Sequence, residues 1–529
     1  MFLHGSLNKS TKVAILLFIF SFIVRLPFLN LYPVFRVDEL GENIRGSAIV
    51  EYGFIPLTNN AEFIGALYNY LIALVYMIKP SILLSRFVIV IFGSLTVPLL
   101  YFLTLRITKN SLKALLASLI LALSPAHILI SSHAAWSASL APFFLTISLL
   151  YLVKTLEFES KKDIFIFGLT AGLALQSHPL TIASYIAFAA SWLLLFDRKL
   201  LLSTVKLVKY CFLGFIIGYL NMLIFNIINP LGSIVAMFKA PWTGFHDSMS
   251  FGEFVRRIVF IFTEYATMII SGVPILSIQY LVKKPMFYMY LAIFLIITVY
   301  ALLKSVLARF LLIYSLIALL ILSIGTKGAM SLNIFGFAWG PHYLQQLLPL
   351  NSMFMAEVLS VILYRLRRIG RVKGSLISAV VLLLIVIWPC TNLLAVYSFV
   401  AQGKCTNEVF LETISSIKSR FGKETPIFVE FSLKSQVTLI VYEIAVLEKL
   451  NVYPPLNLFK RHVSLDDLKI FLKENENKKL LILVLPLKSH CTDFLEELIV
   501  EGHLTIAEHV VAKACYNTQL YRIIVVKRR

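Results

Sequence analysis

Two adjacent acids, Asp38 and Glu39, stand nine residues beyond Leu29, where the first long apolar run ends, in Tyr32-Pro33-Val34-Phe35-Arg36-Val37-Asp38-Glu39-Leu40. A carboxylate held at such a boundary could take a proton from a hydroxyl as a general base. The same residues have a plainer use. Asp38 could cap a helix over Glu39–Val50, with Glu42 and Arg45 paired along it. The two uses are compatible, because a helix start also fixes the carboxylate.

Cations recur at the ends of other apolar runs. Arg25 lies near the end of the first, Arg86 opens the second, and His178-Pro179 sits at a turn between two later ones. His342-Tyr343 opens another in Gly340-Pro341-His342-Tyr343-Leu344-Gln345-Gln346-Leu347-Leu348-Pro349. Such groups could hold a phosphate in the headgroup plane. Against this, Arg25 and Arg86 could simply snorkel, and His178 and His342 could be interfacial polar residues. Trp136, Trp242, Trp339 and Trp388 fall at expected outer boundaries, where an aromatic belt is the ordinary explanation. Trp242, in the turn-rich Ala240-Pro241-Trp242-Thr243-Gly244-Phe245, is the best placed to stack on a sugar or an acceptor. His133, His178, His246 and His342, with Asp38 and Glu42, show no metal-ligand spacing, and neither do the five cysteines. No cofactor is expected, and a divalent metal stays the minor alternative.

What must position these residues is a membrane. The chain is 59% hydrophobic and 14% charged, with mean hydropathy +0.85. Runs of about 20 apolar residues mean spanning helices. The first, Val13–Leu29, has no small-residue cleavage site after it and reads as a retained helix. The net charge of +20 would suggest nucleic acid in a soluble protein, but here Lys and Arg sort into loops that fix orientation. Basic clusters follow the runs Arg86–Leu105, the one ending near Val153, Thr181–Phe196, Met286–Leu303 and Tyr343–Tyr364. All fall on one side for eleven spans with the N-terminus in the cytoplasm. Phe63–Ile78 and Ile258–Ile278 then become interfacial or re-entrant helices on the outer face, and the count rises to thirteen if both cross. The loop His246–Arg257 is expected outside.

The expected architecture is an α-helical polytopic module over residues 1–400, with a first outer loop at 31–85, followed by a soluble α/β domain at 401–529 on the outer face. In that domain Pro426–Phe431, Leu480–Leu487 and Leu520–Val526 read as strands, and Leu465–Glu474 and Asp493–Ile499 as helices. It shows no catalytic motif.

Taken in order, these motifs resemble the membrane glycosyltransferases of the GT-C class, in the branch of the protein O-mannosyltransferases and lipid A aminoarabinose transferases. The resemblance runs over roughly residues 13–400. It rests on Arg25-Leu26, the acidic pair Asp38-Glu39, Gly53–Pro56, the amphipathic stretch Phe63–Ile78, Arg86 with Ser94 soon after, Ser124-Pro125, and His342-Tyr343-Leu344 ahead of Pro349. It implies that a sugar passes, with inversion, from a polyprenyl or dolichyl phosphate to a lipid, glycan or protein acceptor on the outer face. It further implies Asp38 as the base, with Glu39 orienting it or binding a sugar hydroxyl. Arg86 and His342 would lie near the lipid phosphate, helped by Tyr343, Arg25 or His178.

The chain also departs from the pattern. His342 stands where the family often has Arg, Ser131–Ser137 carries no acid, and Ser177-His178-Pro179 lacks a Lys. No β-trefoil insertion is visible. Two other classes remain. A transporter or lipid flippase predicts ionisable residues in mid-span or broken helices in paired halves. A non-catalytic envelope-assembly subunit predicts indifference to Asp38→Asn.

Overall fold

The computed structural model describes residues 2–29, 37–59, 61–132, 137–196, 204–240, 250–271, 285–325, 332–334, 337–339, 341–366, 394, 408–430, 436–453, 463, 465–487, 489–501, 503–513 and 519–528. The chain divides into two compact units. One holds Met1–Leu29, Ile55–Leu71 and Arg86–Tyr397; the other holds Asn30–Phe54, Ile72–Ser85 and Ser398–Arg529.

The first unit is helical. Its apolar runs become α1 (Phe2–Arg25), most of α4 (Ile82–Thr108), α5 (Ser111–Leu123), α6 (Pro125–Ile130), α7 (Ala141–Phe158), α8 (Lys161–Ser177) and α9 (Thr181–Leu195). Among the described residues, five helical segments are long and apolar enough to cross a bilayer: Lys9–Phe28, Ile82–Thr108, Ser137–Phe158, Val306–Gly325 and Leu344–Arg365. A sixth arises if Val208–Gly218 and Leu220–Ile228, bent by 74°, form one broken span. Shorter apolar helices include α5, α9 and α3 (Leu67–Tyr76). At about 1.5 Å per residue α3 reaches about 15 Å, half a hydrocarbon core. The helix Phe251–Ser271 opens in a charged turn where Glu253 pairs with Arg256 and Arg257, and residues 272–278 of that apolar segment lie outside the described set.

Local chemistry sets the breaks. Asn110 caps α5 by accepting from Leu112 N and Lys113 N, after Lys109 turns the chain at φ 51°. Ser124 ends α5 and caps α6, whose first residue is Pro125, so the Ser-Pro motif is a helix-to-helix joint. Close packing follows small residues. A Cβ on Gly214 would sit 2.2 Å from Phe165 O, and one on Gly218 would sit 2.1 Å from Leu169 O, so α8 and Val208–Gly218 touch backbone to backbone. At the 74° bend Gln176 Nε2 donates to Gly218 O at 2.6 Å, satisfying a carbonyl the broken helix leaves open.

The first unit also holds a short antiparallel pair, β1 (Leu332–Ile334) and β2 (Phe337–Trp339). The second unit is built on a five-stranded sheet of order β4-β3-β5-β7-β6: β3 (Ile427–Val429), β4 (Val452–Tyr453), β5 (Leu480–Pro486), β6 (Leu504–Lys513) and β7 (Gln519–Arg528). β3 pairs in parallel with β4 and β5, and β7 pairs antiparallel with β5 and β6. Leu481–Leu485 is buried throughout, because helices cover both faces of the parallel part. The sheet confirms the expected α/β character. The sequence reading missed β6, an edge strand whose exposed Ile506, His509 and Val510 blur any apolar alternation.

This core also takes in the helix that carries the acidic pair. α2 (Val37–Tyr52) packs on the helix Gln436–Leu447, and Leu40 and Ile82 share a core with Phe410, Ile414, Phe428 and Leu483.

Candidate active site

Asp38 lies inside the first turn of α2 rather than at its cap, with Val37 ahead of it. Both acids there face the positive end of the helix dipole. Asp38 is exposed and Glu39 is fully buried. Neighbouring helix residues point about 100° apart, so the two carboxylates leave the helix on different sides. Of the two, Asp38 is open at the surface and Glu39 faces the interior.

α2 is held firmly. Asn43 Nδ2 donates to Glu39 O at 2.7 Å, and Tyr76 Oη donates to Asn43 Oδ1 at 2.5 Å. Burial lowers the pKa of the Arg45 guanidinium and the charge of Glu42 opposes that shift, so these two interact as expected from their spacing. Near the end of the helix, Lys449 Nζ lies 3.1 Å from Glu51 Oε1.

In the helical unit the cations have separate tasks. Arg86 is fully buried and donates from Nη1 to Leu29 O at 3.0 Å. Arg25, also fully buried, donates from Nε to Ser131 Oγ at 2.7 Å and from Nη1 to Ser21 O and Oγ at 2.8 and 2.6 Å. Its Nη2 lies 2.6 Å from His127 Nδ1. Arg25 thus ties α1 to α6. Ser131, in the stretch that carries no acid, accepts from this guanidinium with its hydroxyl. Gly93 makes room for it: a Cβ there would sit 2.2 Å from Ser131 Cβ and 3.5 Å from Arg25 Nε. Gly93, the neighbour of Ser94, thus leaves the room in which Ser131 meets Arg25.

His178 ends α8. Its Nδ1 accepts from Leu180 N at 3.3 Å, and its carbonyl accepts from Thr181 Oγ1 at 2.8 Å. Burial pushes its imidazole down to about 4. It is therefore a neutral hydrogen-bonding group near neutral pH. The late motif opens as a 3-10 helix, Pro341–Leu347. Gln345 Nε2 donates to Ala138 O at 2.8 Å and Gln346 Nε2 to Leu180 O at 3.0 Å, so the motif braces two turns at once. The side chains of His342 and Tyr343 lie outside the described set, as do Trp242, Trp136, His133, His246 and Trp388. Among the described residues, no three His, Cys, Asp or Glu side chains gather as metal ligands.

The sequence reading missed His127, Gln176, Gln345, Gln346 and the Asn43–Tyr76 pair. The signal available was a polar amide or imidazole inside an apolar run, which costs free energy unless it is bonded.

The architecture is that of the GT-C class: a polytopic helical membrane module with a small C-terminal sheet. The chain matches the crystal structure of ArnT from Cupriavidus metallidurans bound to undecaprenyl phosphate, with a TM-score of 0.56 at 10% identity over 99% of this chain and 98% of that one. It matches the same protein in its apo state with a TM-score of 0.58 at 12% identity over the same shares. Residues 65–224 match the family model for dolichyl-phosphate-mannose-protein mannosyltransferase. No curated protein sequence matches the chain. The resemblance drawn from Arg25, Asp38 and the later motifs is borne out at the level of fold class.

Proposed function

We propose that the chain is an inverting glycosyltransferase that moves a sugar from a polyprenyl or dolichyl phosphate to an acceptor on the outer face of the membrane. One observation carries the reading. A fold shared along its full length with a protein crystallised with undecaprenyl phosphate presents an exposed carboxylate, Asp38, in the first turn of a braced helix in its first loop. The family match over residues 65–224 supports the same reaction class.

In this reading Asp38 takes the proton of the acceptor's nucleophilic group. The acceptor atom bonds to the anomeric carbon as the bond from that carbon to the phosphate oxygen breaks, which inverts the centre. The departing carrier phosphate keeps that electron pair, and Arg86 with His342 and Tyr343 stabilises its charge. Trp242 offers a stacking face to sugar or acceptor. The N-terminus is cytoplasmic and residues 401–529 lie outside, which the one-sided Lys and Arg loops support. No divalent metal enters the step, so excess chelator should leave the rate unchanged.

The test is transfer of radiolabelled sugar from a polyprenyl-phosphate donor pool by purified protein in native-like lipid. Wild type should consume donor, and Asp38→Asn should lose about 10²–10⁴ in rate while staying folded. Full activity in Asp38→Asn would remove the base assignment. No consumption of any donor by intact wild type would remove the enzyme reading.

A further inference from the structure

Arg86 and Arg106 lie near opposite ends of α4, separated along its axis by about 30 Å at about 1.5 Å per residue. At the Arg106 end a cavity of about 750 Å³ opens beside the start of α5, the junction of the helices Pro285–Lys304 and Val306–Gly325, and the end of the helix Leu348–Leu366. Three cations, Lys113, Lys304 and Arg365, line it against one carboxylate, Glu357.

That carboxylate is already engaged. Glu357 is 4% exposed, takes Lys113 Nζ at 2.7 Å and accepts from Ser305 Oγ at 2.7 Å. Arg365 has a neutral partner: its Nε donates to Tyr300 Oη at 2.6 Å, with the guanidinium 5.9 Å from that ring's centroid. It is exposed at the rim. Lys304 is exposed beside it. Leu112, Val306 and Val361 supply an apolar wall.

We propose that this cavity binds the phosphodiester headgroup of an anionic membrane lipid, at the end of the helical unit opposite Arg86. Lys304 and Arg365 pair with the phosphate, Tyr300 orients the guanidinium, and the apolar wall receives the start of an acyl chain. The cavity sits where helices end and basic residues gather, the setting in which an anionic leaflet meets a membrane protein. A soluble phosphate would use the same cations but leave the apolar wall empty.

The test uses the full-length purified protein, stripped of lipid, titrated in turn with phosphatidylglycerol, phosphatidylcholine and inorganic phosphate. Retained lipid is read by native mass spectrometry, and protection against heat by the unfolding midpoint. Phosphatidylglycerol should bind at least about tenfold tighter than phosphatidylcholine, and the Lys304→Ala/Arg365→Ala double variant should lose that preference. Both side chains are exposed, so the variant should fold, and the charge reversal Lys304→Glu alone provides a second perturbation with the same expected direction. A preference for phosphatidylglycerol that survives in both variants would overturn the site. Equal protection by inorganic phosphate would overturn the lipid in favour of a soluble anion.

Discussion

Arg25 and Asp38 show how differently two charged residues can be used at membrane boundaries. Asp38 is exposed, so its loss should cost activity and almost no stability. Arg25 is fully buried, with Ser131, Ser21 and His127 around its guanidinium. Ser131→Ala leaves its Nε without that acceptor and should destabilise the protein by about 1–3 kcal/mol. The midpoint of thermal unfolding in detergent would show it, and an unchanged midpoint would mean that water or another group replaces the serine. His178 gives a pH prediction. Its pKa falls from 6.5 when unfolded to about 4 when folded. Between those values the unfolded chain binds more protons, so stability rises with pH across that window and is lost as pH falls through it. The loss is of order 3 kcal/mol. Because carboxylates titrate nearby, the measurement is a difference: His178→Gln should flatten the wild-type fall between pH 6.5 and 4.

At the scale of elements, α2 is the part whose position matters most to the proposed chemistry. Gly46 lies against α3, and a Cβ there would meet Ile72 Cγ2 at 2.3 Å and Cβ at 2.8 Å. The second of these atoms is fixed to the backbone, so the side chain cannot swing clear. Gly46→Ala should therefore cost about 1–3 kcal/mol and reduce transfer by moving the helix that carries Asp38. Adding Ile72→Ala should recover part of both losses, a coupling expected of contacting residues. Independent, additive effects in that double variant would show that the two helices do not meet there. The glycines between α8 and Val208–Gly218 work in the same way, since each admits a backbone where a side chain would stand.

At the scale of the molecule, the C-terminal sheet is more than an appendage to the spans. Residues 30–54 and 72–85 belong to the same compact unit as Ser398–Arg529, and Leu40 is buried in that unit's core. Ending the chain at Tyr397 would strip Leu40 of Phe410, Ile414 and Leu483. The truncated protein should still insert in the membrane yet show no transfer, because the acid's helix has lost its support. Transfer at wild-type rate by the truncated protein would show that α2 holds its place without the sheet.

The membrane character, the α/β nature of residues 401–529 and the candidacy of Asp38 were legible in the sequence. Apolar runs, basic loops and a misplaced acid report hydration cost directly, residue by residue. Helix breaks were legible where a cap or proline marked them, as at Asn110 and Ser124-Pro125. Which buried polar atoms meet was not. Arg25 and Ser131 are 106 residues apart, and Gln345 and Ala138 are 207 apart, so no local pattern records either bond. Nor could spacing tell that Glu39 turns inward while Asp38 stays in solvent, or that α2 packs on Gln436–Leu447. Those outcomes depend on which surfaces become buried together, and only the tertiary fold decides that.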